Sequence, residues 1–202
     1  MQDCYFPFTF EFESYVKEFT VEHMRSVTGA SATIVFHHNI PSNLRKVVDE
    51  ELQDFGIPPL ANINIWKKPP GYEQVLHADL YAWDVLRKKT KVFTVNHSAF
   101  NIPIEGTVNS DMLWYGGQHQ CVPTTIITPT NTTATYFKIE WEETPFIKAR
   151  LELLESHLIA TSTPHQVICN PFDTRIITSL RFQGNPTFNQ IQNKLLRVKK
   201  DY

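Results

Sequence analysis

Ala61-Asn62-Ile63-Asn64-Ile65-Trp66-Lys67-Lys68-Pro69-Pro70-Gly71 is the stretch that decides the fold. Polar and apolar residues alternate from Asn62 to Ile65, and a period of two belongs to a strand with two unlike faces. Pro69-Pro70-Gly71 then supplies turn chemistry, because proline fixes φ and glycine accepts turn conformations closed to other residues. The same pairing of short strand and turn recurs downstream. Strands are predicted over 74–76, 92–95, 99–104, 111–115, 124–127 and 133–140, then over 157–161, 165–169 and 175–182, with a turn at Asn170-Pro171. Many short strands at fairly regular spacing predict a mainly β, double-sheet barrel of the jelly-roll kind, with helices outside it.

Upstream of Ala61 the reading is mixed. Residues 8–12 and 33–36 are read as short strands, and Ser42 as the cap of a helix. In that helix Leu44, Val47, Val48 and Leu52 share a face, and Gly56 with Pro58 ends it. Thr144-Pro145 is predicted to open a second helix running to about residue 155, since proline is tolerated at a first helical position. A closing helix is expected over 186–197, with Phe188, Ile191 and Leu195 on one side. No repeat or low-complexity tract divides the chain. It reads as one domain over 1–202, with support in 1–59, a barrel in 60–183 and a terminal helix in 184–202.

Composition excludes several function classes. Nineteen basic residues against 21 acidic ones give a net charge of −2, so no general footprint for nucleic acid or anionic membrane exists. Two local clusters, Arg87, Lys88, Lys89 and Lys91, then Lys194, Arg197, Lys199 and Lys200, read as solvated surface. Cys4, Cys121 and Cys169 are odd in number and form no CxxC pair, which argues against a disulfide framework or a structural zinc and for a reducing compartment. With no basic-then-apolar N-terminal pattern and no long apolar run, the expectation is a cytoplasmic chain without a membrane partner. The Asn131-Thr132-Thr133 glycosylation match is then disregarded. GxSxG, GxxxxGK[ST] and GxGxxG are all missing, so nucleophile-elbow and phosphate-loop chemistries find no support.

The chemistry gathers around His77-Ala78-Asp79. On a strand, residues two apart share a face, so one imidazole and one carboxylate can converge on a metal. A lone HxD triplet arises often by chance and means little. His165, in Thr163-Pro164-His165-Gln166-Val167, adds a second imidazole from a distant strand. Two histidines and one carboxylate on one face of an octahedron leave open positions, the arrangement of non-haem iron oxygenases. Arg175 lies ten positions beyond His165, across what reads as a hairpin turn, and its guanidinium fork suits a carboxylate.

Four stretches resemble the iron(II)/2-oxoglutarate-dependent oxygenase superfamily in its double-stranded β-helix form. They are Pro69-Pro70-Gly71 into His77-Ala78-Asp79; Asn101-Ile102-Pro103-Ile104 with Met112-Leu113-Trp114-Tyr115; Leu158 through Pro164-His165; and Asn170 through Arg175 to Ser179-Leu180-Arg181-Phe182. They follow the family's order over residues 60–183, and the chain is similar to small prolyl or aspartyl/asparaginyl hydroxylase-like members. The resemblance implies that His77, Asp79 and His165 hold iron(II), that Arg175 binds the far carboxylate of 2-oxoglutarate, and that Asn101 and Tyr115 line the co-substrate pocket. It implies consumption of O2 and hydroxylation of a C–H bond, with a small-molecule or peptide substrate. Trp66, Trp114 and Arg181 are candidates for the substrate pocket, and Arg181 competes with Arg175 for the carboxylate, because on an unbroken strand the two share a face. Two other readings stay open: a cupin-type metalloenzyme without 2-oxoglutarate, and a non-catalytic β-sandwich module. Oligomeric state is left open.

Overall fold

A computed structural model of the chain describes the backbone over 3–85, 90–127 and 133–198. The basic run Arg87-Lys88-Lys89, the start of the glycosylation match at Asn131-Thr132, and Lys199 and Lys200 lie outside the described residues, as does the Trp83 side chain.

Two six-stranded antiparallel sheets make the molecule, with strands numbered in chain order. The first runs β1 (Tyr5–Pro7), β12 (His157–Ala160), β7 (Ser98–Glu105), β14 (Arg175–Phe182), β3 (Leu60–Lys68), β2 (Ser31–Phe36). The second runs β11 (Phe146–Glu152), β8 (Asp111–Gly116), β13 (His165–Ile168), β4 (His77–Ala78), β10 (Thr133–Trp141), β9 (His119–Ile127). β5 (Leu80–Val85) and β6 (Thr90–Val95) form a separate hairpin. The chain passes from one sheet to the other between β3 and β4, β7 and β8, β11 and β12, β12 and β13, and β13 and β14. This is the winding of a double-stranded β-helix, a jelly-roll barrel with flanking helices.

Helices α1 (Glu13–Met24), α2 (Ser42–Asp54) and α3 (Phe188–Val198) contribute to the cluster on the outer face of the first sheet. Strand alternation divides the core in two. Ile63, Ile65, Phe100, Ile102, Leu180 and Phe182 turn outward to meet Val16, Val48, Leu52 and Leu195 of the helices. Ala99, Ile159 and Ile177 turn inward and meet Met112, Trp114 and Val167 of the second sheet. The inner cluster closes part of the space between the sheets, and the site occupies the rest.

Four expectations fail. Residues 74–76 form no strand: β4 begins at His77, and Glu73 makes an isolated bridge to Ile168. Residues 144–155 hold no helix: β11 pairs with β8, and Ala149, Leu151 and Leu153 alternate into the inner cluster. Covering the open edge of β8 outweighs the helix-start signal of Thr144-Pro145. Residues 8–12 form no strand, 11–12 being a turn into α1, and the segment instead buries Phe8, Phe10 and Phe12 in the outer core. His165 and Arg175 do not flank a hairpin, since β13 and β14 belong to opposite sheets and the chain crosses the barrel between them. That crossing is built by Asn170, whose side-chain oxygen accepts from the amides of Phe172 and Asp173 while its amide group donates to the Val108 carbonyl. Helix α1 went unread because its buried face, Glu13, Val16, Thr20 and Met24, is half polar. Its Thr20 hydroxyl is bonded to that of Thr178 at 2.6 Å, and Glu13 accepts from Ser156 at 2.7 Å.

Candidate metal centre

β4 is only two residues long, and its Cα partner across the second sheet is β13, with His77 directly opposite His165. Both face inward. The rings lie 4.6 Å apart between centroids. Asp79 follows β4 and is fixed by its backbone, its amide donating to Thr161 and its carbonyl accepting from Asn96. Its Oδ1 sits 3.2 Å from Nε2 of His77 and 3.6 Å from Nε2 of His165. The ligand-capable atoms of the three residues fall within 4.8 Å of one another.

The chain also sets which atoms face each other. Nδ1–H of His77 donates to the Val75 carbonyl at 2.7 Å, and Nδ1–H of His165 donates to the Thr163 carbonyl at 2.9 Å. With the proton held on Nδ1, Nε2 of each ring carries a lone pair toward Asp79. Burial pushes the His165 imidazole down to about 4, helped by the neighbouring His77 ring and opposed by Asp79, so the ring is neutral near pH 7. Burial alone would raise the Asp79 carboxyl. The Arg181 guanidinium, at 2.5 Å from Oδ2, outweighs it and holds Asp79 ionised well below the usual carboxylate range. One carboxylate oxygen is thus occupied by Arg181 and the other is turned to the rings. Two imidazole Nε2 atoms and one ionised carboxylate oxygen, all inward and converging, form a donor set that fits a divalent iron.

Beyond this trio the inner face of the first sheet is polar. Asn64, Ser179, Asn101 and His157 are consecutive Cα partners across β3, β14, β7 and β12, and all four are buried. Among the described residues, the side-chain oxygens of Asn62, Asn64, Asn101 and Ser179, Nε of Arg175, and Nε and Nη1 of Arg181 are buried without a hydrogen-bond partner. Unpaired buried polar groups cost about 1–3 kcal/mol each in an ordinary core. Such a concentration in one place is the signature of a space built to be filled by a polar ligand. Arg175, 2% exposed, lies on the same strand and face, and burial pushes its guanidinium down to about 10.

Of the residues singled out in the sequence, the structure brings His77, Asp79, His165 and Arg181 together, with Asn101 and Arg175 on the facing sheet. Arg175 makes no ion pair with Asp173, which instead accepts from Asn170. Trp66 is half-buried against the inner cluster. Two expectations are corrected. Tyr115 points to the outer face of the second sheet, where its hydroxyl donates to Gln166 at 2.9 Å. Its neighbour Trp114 takes the inward position instead, because side chains on a strand alternate. Trp114 is packed into the inner cluster: it is fully buried, stacks on Tyr5, and donates its indole N–H to the Ala160 carbonyl. Asn62, Asn64 and Ser179 were missed. Their signal was the polar half of the alternation, which looks like a solvent face unless the sheet is known to curl round a site.

No family model and no curated protein matches the sequence. Solved structures are similar in fold. HygX from Streptomyces hygroscopicus in its apo form gives a TM-score of 0.45 at 12% identity, covering 91% of this chain and 81% of that one. The same protein with nickel and 2-oxoglutarate bound gives 0.44 at 12%, covering 87% and 80%. A Pseudomonas putida prolyl-4-hydroxylase gives 0.42 at 10%, covering 90% and 94%. Vicilin from Capsicum annuum gives 0.36 at 7% over 80% of this chain, which spans only 30% of the vicilin's length.

Proposed function

We propose that the chain is an iron(II)- and 2-oxoglutarate-dependent dioxygenase that hydroxylates a C–H bond, with an amino-acid or peptide side chain as its substrate. The observation that carries this reading is the convergence of two histidine Nε2 atoms and one aspartate oxygen inside the barrel, opposite a buried arginine with an unpartnered Nε. His77, Asp79 and His165 would hold the iron, and Arg175 the far carboxylate of 2-oxoglutarate, with Asn101 on the intervening wall. Bound iron would supply the coupling of O2 reduction to decarboxylation of 2-oxoglutarate and oxidation of the substrate.

The chain's own contribution is positioning. The carbonyls of Val75 and Thr163 accept from Nδ1–H of the two rings, which turns Nε2 of each toward the ligand position. Arg181 keeps Asp79 ionised and turned edge-on to the site. The inner cluster around Trp114, Val167 and Ile177 closes part of the space with side chains and excludes water. Arg181, occupied with Asp79, is the poorer choice for the co-substrate, which favours Arg175.

The test is an anaerobic visible-absorption titration with iron(II) and then 2-oxoglutarate. A broad charge-transfer band that needs both is expected, and Arg175→Ala should weaken the second step while sparing iron uptake. Retention of iron with no response to 2-oxoglutarate would move the reading to a cupin-type metalloenzyme. No iron and no band would leave a barrel used for binding.

A further inference from the structure

The proposed far-carboxylate site contains a second cation. Lys68 is the Cα partner of Arg175 across β3 and β14, so the two side chains rise from the same inner face. Lys68 is not solvated like an ordinary surface lysine. Its Nζ stands 4.6 Å from the ring centre of Tyr72 and 5.2 Å from that of Trp66, and both rings pack against the inner cluster. Burial, with Arg175 adding to it, lowers its pKa. Among the described residues no carboxylate lies within ion-pair distance of either cation.

Two neighbouring cations, Arg175 buried and Lys68 half-buried, repel, and each is expensive to desolvate. Two aromatic faces offset part of that cost for Lys68; Arg175 keeps a buried Nε without a hydrogen-bond partner, and the nearby Cys169 thiol opposes its desolvation only in part. A planar fork beside a compact ammonium suits one carboxylate: the fork takes it bidentately and the ammonium adds a point charge.

Resting on the reading of 2-oxoglutarate as co-substrate, we propose that Lys68, held between Trp66 and Tyr72, shares the far carboxylate with Arg175, so that a paired Lys–Arg seat selects a dicarboxylate over a monocarboxylate 2-oxoacid. Lys68 would be a binding residue, and the rings of Trp66 and Tyr72 position it.

The experiment is calorimetric titration of the anaerobic iron(II)-loaded protein with 2-oxoglutarate and with 2-oxovalerate, which keeps the 2-oxoacid end and lacks the far carboxylate. Lys68→Met retains the apolar stem and its packing, and Lys68→Arg retains the charge. Expected is a rise in Kd for 2-oxoglutarate of tenfold or more in Lys68→Met, recovery of most of that loss in Lys68→Arg, and the same Kd for 2-oxovalerate in all three proteins. Wild-type binding of 2-oxoglutarate left unchanged in Lys68→Met overturns the role of Lys68 and leaves the co-substrate reading standing. An equal weakening toward both ligands also overturns it, as general damage to the pocket. Failure of wild type to bind 2-oxoglutarate while holding iron overturns both.

Discussion

At the residue scale the decisive group is Asp79, whose two oxygens have different partners. Oδ2 is bound to Arg181, and Oδ1 faces His77 and His165. Removing the carboxylate strands a buried guanidinium, and breaking a buried pair from one side costs about 3–5 kcal/mol. Asp79→Ala is therefore expected to abolish iron uptake and also to destabilise the metal-free protein in urea. Arg181→Met added to it should restore most of that stability and none of the iron. Additive losses in the double variant would show that the pair is not coupled. His165 makes a pH prediction. Its pKa in the fold, about 4, lies below the ordinary histidine value, so between the two the unfolded chain binds more protons. Stability of the metal-free protein should be full above about pH 6.5 and fall as pH drops toward 4, by about 3 kcal/mol in all. Asp79, also depressed, adds its own loss below the usual carboxylate range. Urea midpoints across that window, flat in His165→Gln and sloped in wild type, would confirm the sign.

At the element scale, the close approach of the β7–β8 turn to the start of β14, where Arg175 sits, depends on one glycine. Gly106 has φ +61°, and a Cβ there would lie 2.0 Å from the Thr174 carbonyl oxygen, next to the first residue of β14. Gly106→Ala should cost about 1–3 kcal/mol from backbone strain alone and weaken 2-oxoglutarate binding by displacing Arg175. Unchanged melting and unchanged affinity would contradict this. The β11 assignment is tested across its register shift between Ile147 and Ala149, which puts Ile147 and Leu151, four positions apart, on opposite faces of the strand. Leu151→Ala, in the inner cluster, should cost about 2–4 kcal/mol, whereas Ile147→Ala, exposed on the same strand, should stay within about 0.5 kcal/mol. A helix over the same residues would give no such contrast. These elements also show what was legible in the sequence. Strands such as β3, β8 and β14 announce themselves by alternation, and His77, Asp79 and His165 by residue type and order. β11 did not, because its inward residues Ala149 and Leu151 sit among charges that serve a helix equally well. The seat around Arg175 did not either. Lys68 reads as half of a turn-side Lys67-Lys68 pair, and only the register of β3 against β14 shows that Lys68 faces in while Lys67 donates to the Val27 carbonyl.

At the scale of the whole molecule, the two clusters make different contributions. Leu195 of α3 belongs to the outer one and touches none of the candidate ligands. Leu195→Ala should lower stability by about 2–4 kcal/mol and leave the iron and 2-oxoglutarate affinities of the folded protein as they are. A matching loss of affinity would mean that the outer core also shapes the site. β14 concentrates the division within eight residues. Ile176, Thr178, Leu180 and Phe182 look toward the helices, while Arg175, Ile177, Ser179 and Arg181 look toward the barrel. Mutation at Arg175 or Ser179 can therefore change what the barrel holds while the outward set keeps the chain folded, whereas Ile177 and Arg181 also carry stability. A lineage built on this plan is able to drift from one substrate to another by single steps, with no unfolded ancestor in between.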